Sequence, residues 1–340
     1  MKLKSFKLWL NIFTIAALVA LMYISRNQIS ETFRRLSDLN IAWLLMIVPL
    51  QLLNYFSAAK MYQTYLRSLG EDIKISFLNR VSLEMNFVNH VLPSGGVSGF
   101  GYLSMRLKQV GVPASKSTLT QVARHALTFI SFIFYLLIAM LLLALYGNAS
   151  RLMILISSGM ISLVLVGSVL LIYLISSSER IKAFSAALPR LINDLLGFFR
   201  GGKRTINVAR VERLFGDLHD DYMAVKDDWR ALQRPFLWAM FMNLTEILTI
   251  MVVYAAFGDF VNPGAIIVAY AVANIAGLIA VLPGGVGVYE GLMTAVLASA
   301  GIPKALALSA TLVYRVLNML IFLPIGLVLY QIALRSQPKQ

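Results

Sequence analysis

Seven ionisable side chains sit inside or at the edges of long apolar stretches: Glu84, His90, Arg124, His125, Glu246, Glu290 and Arg315. An ionisable group in apolar surroundings is costly unless it meets water, a partner of opposite sign or a ligand. Glu246 lies about midway along residues 236–257, Arg315 near the third turn of the last apolar stretch, and Glu290 just after a Gly/Pro cluster. Their signs are opposed, so one buried network can hold all three. That network reads either as a structural salt bridge that fixes helix packing or as a site used by a charged ligand. Asn86, Asn89, Asn243, Asn274 and Asn318 are its polar companions.

The Gly/Pro cluster occurs twice. Val91–Pro113 reads VLPSGGVSGFGYLSMRLKQVGVP and Val281–Pro303 reads VLPGGVGVYEGLMTAVLASAGIP, and 8 of 23 positions are identical without a gap. Pro93, Gly95 and Gly96 mark the first copy; Pro283, Gly284, Gly285 and Gly287 mark the second. The shared offset of 190 residues argues for an internal duplication. A helix that restarts after such a break presents unpaired N–H groups and a positive dipole end, which suit a phosphate or carboxylate. Arg124 and Arg315 fall at near-equivalent points of the two copies, one residue out of register. The arginine fork matches a phosphodiester. The copies differ in one respect: Glu290 is Phe100 in the first. The expected site is therefore asymmetric.

Enzyme chemistry finds less support. The chain has 3 histidines and no cysteine, and neither an HExxH nor a GxSxG motif occurs. Thiol chemistry and thiolate metal sites are excluded. His90 beside Leu92-Pro93 reads as a hydrogen-bonded helix-end histidine or a proton carrier. Asp220-Asp221 and Asp227-Asp228 fall on an amphipathic pattern, where a solvated face is the simpler reading. No catalytic residue, metal or cofactor is expected.

These residues need elements to position them. The chain is 59 % hydrophobic and 14 % charged over 340 residues. Uncharged runs at 8–25, 41–59, 126–146 and 152–178 are long enough, or nearly so, to cross a hydrocarbon core of about 30 Å as helices. The first reads as a retained helix, since no small-residue cleavage site comes after it. The fold class is an all-α polytopic membrane protein: spanning helices near 8–25, 41–60, 118–146, 152–176, 236–257 and 306–332, plus two Gly/Pro-broken re-entrant hairpins. The hairpin arms are 75–92 with 97–110, and 264–282 with 286–300. With the N-terminus inside, cytoplasmic pieces hold 24 of the 30 Lys and Arg. Both termini are then cytoplasmic, in the cytoplasmic (inner) membrane. Repeat 1 covers about 41–146 and repeat 2 about 236–332 of a single membrane domain, and the layout makes them inverted. They become parallel if the hairpin arms act independently.

Residues 177–235 differ, with 11 basic and 8 acidic side chains. Arg200–Arg204 (RGGKR) is a hinge and not a phosphate loop. After it, Val208, Val211, Phe215, Leu218, Tyr222 and Val225 recur at helical spacing. The segment 205–231 reads as an interfacial or packing helix, with partner docking left open. The net charge of +14 is explained by topology and anionic lipid, with no nucleic-acid module.

The second copy and the segment after it carry Leu282–Gly285, Gly287, Glu290, Gly301-Ile302-Pro303 and Tyr314-Arg315. Together these resemble the signature of the lysylphosphatidylglycerol synthase transmembrane-region family. Asn86, Pro93, Gly95, Gly96 and Gly99 are similar to its first-half motif. The resemblance covers nearly the whole chain. It implies a flippase-like membrane protein akin to the N-terminal half of the multiple peptide resistance factor, where this region is associated with moving aminoacylated phosphatidylglycerol. The chain ends at Gln340, so an aminoacyl-transferase domain and lysyl transfer are not expected. The reading is a protein that binds and translocates a phospholipid or lipid-linked head group, anionic or zwitterionic. Its expected site combines the motif residues above with Glu290, Arg315, Glu246, Arg124, Asn86, Asn89, His90, Tyr314 and Asn274. Alternatives are a membrane component of a lipid- or glycolipid-modifying enzyme system, or a scaffold. Homo-oligomerisation stays open.

Overall fold

The computed structural model describes residues 23, 26, 27, 30, 34, 39–91, 97–145, 150–187, 208–225, 228–279 and 285–335. The expected first span at 8–25, Arg200–Arg204 and the motif residues Pro93, Gly95, Gly96, Pro283 and Gly284 lie outside the described residues.

The described chain is helical, without strands. Its elements are α1 (Ile41–Leu45), α2 (Ile47–Ser68), α3 (Ile75–Val91), α4 (Val97–Lys108), α5 (Ala114–Leu145), α6 (Arg151–Ile175), α7 (Val208–Val225), α8 (Trp229–Ala256), α9 (Pro263–Ile279), α10 (Val288–Ser299) and α11 (Lys304–Arg335). Residues 178–187 are also helical. Among them, α1–α2 together, α5, α6, α8 and α11 make 5 stretches long and apolar enough to cross a membrane. The protein is therefore a multi-pass membrane protein. The interruption at Met46 stems from Pro49, which has no N–H to offer the Leu45 carbonyl. Helices α5 and α8 start before their apolar cores; ahead of the α8 core, Arg230, Ala231, Leu232, Gln233 and Arg234 are all good helix formers.

Side-chain contacts mark two ends of the bundle. At one end the Lys116 ammonium, on the first turn of α5, bonds the Leu69 carbonyl (2.8 Å) and Glu71 (2.7 Å). There the His219 ring of α7 meets the Ile175 carbonyl closing α6, at 2.6 Å. Leu119, Ile175, Ile181 and Leu218 form an apolar cluster beside them. Leu218, Phe215 and Tyr222 thus face the bundle, as the amphipathic spacing requires. At the other end the Asn40 N–H donates to the Ala256 carbonyl at 3.0 Å, and Trp43 meets Phe260 edge-on. Ser150 there donates to the Ser299 carbonyl at 3.5 Å.

The short pair α3–α4 starts and finishes beside the Lys116 contacts, and the pair α9–α10 starts and finishes at the Ser150 end. Displaced by 190 residues, the bounds of α5 become those of α11, and α3 and α4 fall within two residues of α9 and α10. The packing is reciprocal too. Helix α3 lies on α11, α9 lies on α5, and α2 lies along α8. Two glycines allow the first two contacts. A Cβ at Gly326 of α11 would stand 2.6 Å from the Leu83 carbonyl oxygen, and one at Gly264 of α9 would stand 2.7 Å from that of Ala139.

Candidate functional site

Helices α2, α3, α5, α8, α9, α10 and α11 enclose one polar cavity of about 330 Å³. Its depth is set by α8: Glu246 lies twelve residues after Arg234 and thirteen before Asp259. At 1.5 Å per residue that is the middle of the apolar part of the helix.

Each wall is held by a local feature. On α3, Asn86, Asn89 and His90 share one face, and the His90 ring nitrogen Nδ1 lies 2.9 Å from the Asn86 carbonyl one turn back. Gly99 of α4 lets the Asn89 amide approach, since a Cβ there would stand 2.7 Å from Asn89 Oδ1. On α5, Arg124 stacks over the Tyr62 ring at 5.5 Å, and Tyr62 donates to Gln121. No carboxylate among the described residues reaches ion-pair distance of Arg124. On α8, the Asn243 amide bonds Ser131 at 2.5 Å and accepts from the Tyr270 hydroxyl at 3.2 Å, tying α8 to α5 and α9. Asn274 lies one turn beyond Tyr270.

Glu246 accepts hydrogen bonds from Gln51 Nε2 at 3.0 Å and from the Tyr314 hydroxyl. Gln51 also touches Thr249, and Asn54 bonds the Met242 carbonyl (2.8 Å) and Thr245. The α2–α8 seam therefore fixes the carboxylate from behind.

Glu290 stands one layer back from the cavity. It receives Arg315 Nη1 at 2.7 Å and the Gly287 N–H at 2.7 Å. Gly287 caps α10 at φ 88°, a conformation that glycine tolerates best, and Gly285 precedes it at φ 66°. The helix end expected to greet a ligand thus spends its Gly287 donor on the chain's own acid. Arg315 turns its guanidinium over Tyr289 at 4.6 Å and lines the cavity.

Of the expected residues, Arg124, Asn86, Asn89, His90, Glu246, Asn274, Tyr314 and Arg315 line this one cavity. Glu290 reaches it through Arg315, and Gly285 and Gly287 shape the start of α10. Gln51, Asn54, Tyr55, Tyr62, Tyr270 and Tyr289 line it as well and carry no motif. Gln51 and Asn54 had a faint signal: two amides three residues apart within an uncharged apolar run. A second buried pair escaped the sequence reading. Arg106 of α4 grips Glu84 of α3 through Nε at 2.8 Å and Nη2 at 3.2 Å, while Tyr102 donates to the same carboxylate. Among the described residues no cluster of three or more His, Asp or Glu suits a metal.

A family model described as Lysylphosphatidylglycerol synthase TM region matches residues 8–326. A UPF0104 membrane protein of Pyrococcus horikoshii is 22% identical over 300 residues, which cover 85% of this chain and 87% of that protein. A UPF0104 membrane protein of Methanothermobacter thermautotrophicus is 20% identical over 310 residues, covering 89% of this chain and 88% of that protein.

Proposed function

The chain belongs to the lysylphosphatidylglycerol synthase TM region family, and from that premise we propose a flippase-like protein that carries a phospholipid head group through the bilayer. The observation behind this reading is the polar cavity at mid-depth, with Arg124 lining it and no carboxylate partner for that guanidinium among the described residues. Arg124 is the docking point for the phosphate, and Asn86, Asn89 and Asn274 supply neutral hydrogen bonds around it. The acyl chains stay in the membrane.

The pairs α3–α4 and α9–α10 serve as re-entrant hairpins of two inverted repeats. Support comes from their attachment to opposite ends of the bundle and from the 190-residue correspondence of the helices. We read the Lys116 end as cytoplasmic, because the loops there carry most of the Lys and Arg. The membrane is then the cytoplasmic one.

The test is reconstitution into liposomes with fluorescent anionic and zwitterionic phospholipids, and then quenching from outside. Wild type is expected to expose inner-leaflet label at least tenfold faster than Arg124→Gln, the loss of a charge-assisted contact worth about 1.5–3 kcal/mol. Equal rates for wild type, Arg124→Gln and protein-free vesicles sink the reading. A chemically altered lipid in the extract turns it toward a lipid-modifying enzyme system.

A further inference from the structure

Three carboxylates are buried within the described bundle, and they are served differently. Glu84 has Arg106 and Glu290 has Arg315, each as an ion pair. Glu246 has neutral donors, Gln51 and Tyr314, and no Lys or Arg among the described residues reaches ion-pair distance of it. An ionised carboxylate at mid-bilayer needs a balancing charge from somewhere. We propose that Glu246 is a proton-exchange site, and that its protonation couples head-group movement to a proton gradient; the coupling rests on the translocation reading above, the proton site does not.

The hydrogen bonds around Glu246 suit both of its charge states. Ionised, it accepts from Gln51 and from the Tyr314 hydroxyl. Protonated, its O–H donates to the Tyr314 oxygen, since a phenol both donates and accepts. Tyr314 then needs another acceptor for its own proton. Tyr289 lines the same wall, and its buried hydroxyl has no hydrogen-bond partner among the described residues. Among the described residues Glu246 belongs to no cluster of three or more His, Asp or Glu that suits a metal cation. Glu246 is buried but borders the cavity, so the proton has a route to it.

The surrounding charges give the coupling its sign. From α2 the cavity receives Tyr55, from α9 Tyr270, from α10 Tyr289, and from α3 His90. Helix α1 brings no ionisable group. From α11 come Tyr314 and Arg315, the latter balanced by Glu290. From α5 come His125 and Arg124. Arg124 is thus the cavity cation without a carboxylate at ion-pair distance among the described residues, and in this proposal its charge is what opposes the proton until a phosphate docks on it. A phosphate docked on Arg124 cancels that charge and favours the proton on Glu246. By linkage, the proton favours the phosphate equally. Head group and proton then travel together.

The test uses the purified full-length protein in two measurements. Infrared difference spectra on acidification are expected to show a protonated-carboxyl stretch, shifted in deuterium oxide, that is absent from Glu246→Gln and kept in Glu84→Gln, whose carboxylate lies off the cavity. Tyr314→Phe is expected to shift that band without removing it, which separates a proton site from a misfolded variant. No such band in wild type, or a band that survives Glu246→Gln, overturns the proton site whatever the lipid does. In proteoliposomes, one pH unit of gradient is expected to skew labelled-lipid distribution up to about tenfold for one proton per lipid. The same gradient is expected to leave Glu246→Gln unskewed. A skew driven by sodium, or seen only with amine-bearing lipids, overturns the proton assignment in favour of those cations. The band without any lipid movement leaves the proton site standing and sinks the translocation reading.

Discussion

At the scale of single residues, the distinction that matters is between charges that are balanced within the chain and charges left for a ligand. Glu290 and Arg315 are 4% and 7% exposed and meet at 2.7 Å, so they are the balanced kind. Removing one partner strands the other. Arg315→Met is expected to destabilise the protein by about 3–5 kcal/mol, because Glu290 would keep only the Gly287 N–H. The double variant Glu290→Gln/Arg315→Met is expected to recover at least half of the lost melting temperature in detergent. If the double variant melts no higher than Arg315→Met, the pair is not what makes Arg315 matter. Arg124 has no carboxylate at ion-pair distance among the described residues, and on the proposed function its replacement is expected to affect lipid handling far more than melting. The sequence marked both arginines equally, since spacing alone does not say which one has an acid beside it. That information depends on the packing of α10 against α11, which no local pattern encodes.

At the scale of elements, the bundle depends on close approaches between the short helices and the long ones. Gly326→Ala places a methyl 2.6 Å from the Leu83 carbonyl oxygen and 2.7 Å from Phe87 Cβ, so α11 must move off α3. The expected cost is about 1–3 kcal/mol. Gly167→Ala on α6 meets nothing within 4 Å and is expected to be neutral or to gain up to about 1 kcal/mol from helix propensity. Melting curves of the two variants check this, and equal midpoints would show that α3 and α11 are not pressed together. The long helices were legible from apolar runs, because hydropathy reports transfer into lipid directly. Their polar starts were not, since residues such as Trp229–Arg234 extend a helix without adding to the apolar run. The cavity walls were half legible. A charge in an apolar run stands out, as Glu246 and Arg315 did, whereas Tyr55, Tyr62 and Tyr270 read as ordinary membrane aromatics. The clamp between Glu84 and Arg106 was missed because the two lie 22 residues apart on different helices, and only the glutamate falls within a long apolar stretch.

At the scale of the whole molecule, the arrangement makes a prediction about sidedness that needs no knowledge of the lipid. The chain has no cysteine, so single cysteines can be introduced without removing any. Lys108 closes α4 and Lys182 lies just beyond α6; both are exposed and belong to the Lys116 end. Arg151 opens α6 and Lys304 opens α11; both are exposed and belong to the Ser150 end. A membrane-impermeant maleimide applied to intact cells is expected to label Arg151→Cys and Lys304→Cys, and to reach Lys108→Cys and Lys182→Cys only after lysis. Labelling of the opposite set would reverse the orientation while keeping the two ends distinct. Labelling of Lys108→Cys and Lys304→Cys from the same side would break the inverted arrangement itself. It would mean that α4 ends where α11 begins, although those points stand at opposite ends of a bundle joined by the Lys116 and Ser150 contacts. In the expected case the two hairpins reach Arg124 and Glu246 from opposite faces of the membrane. On the proposed translocation reading, a head group and its proton would enter past one hairpin and leave past the other.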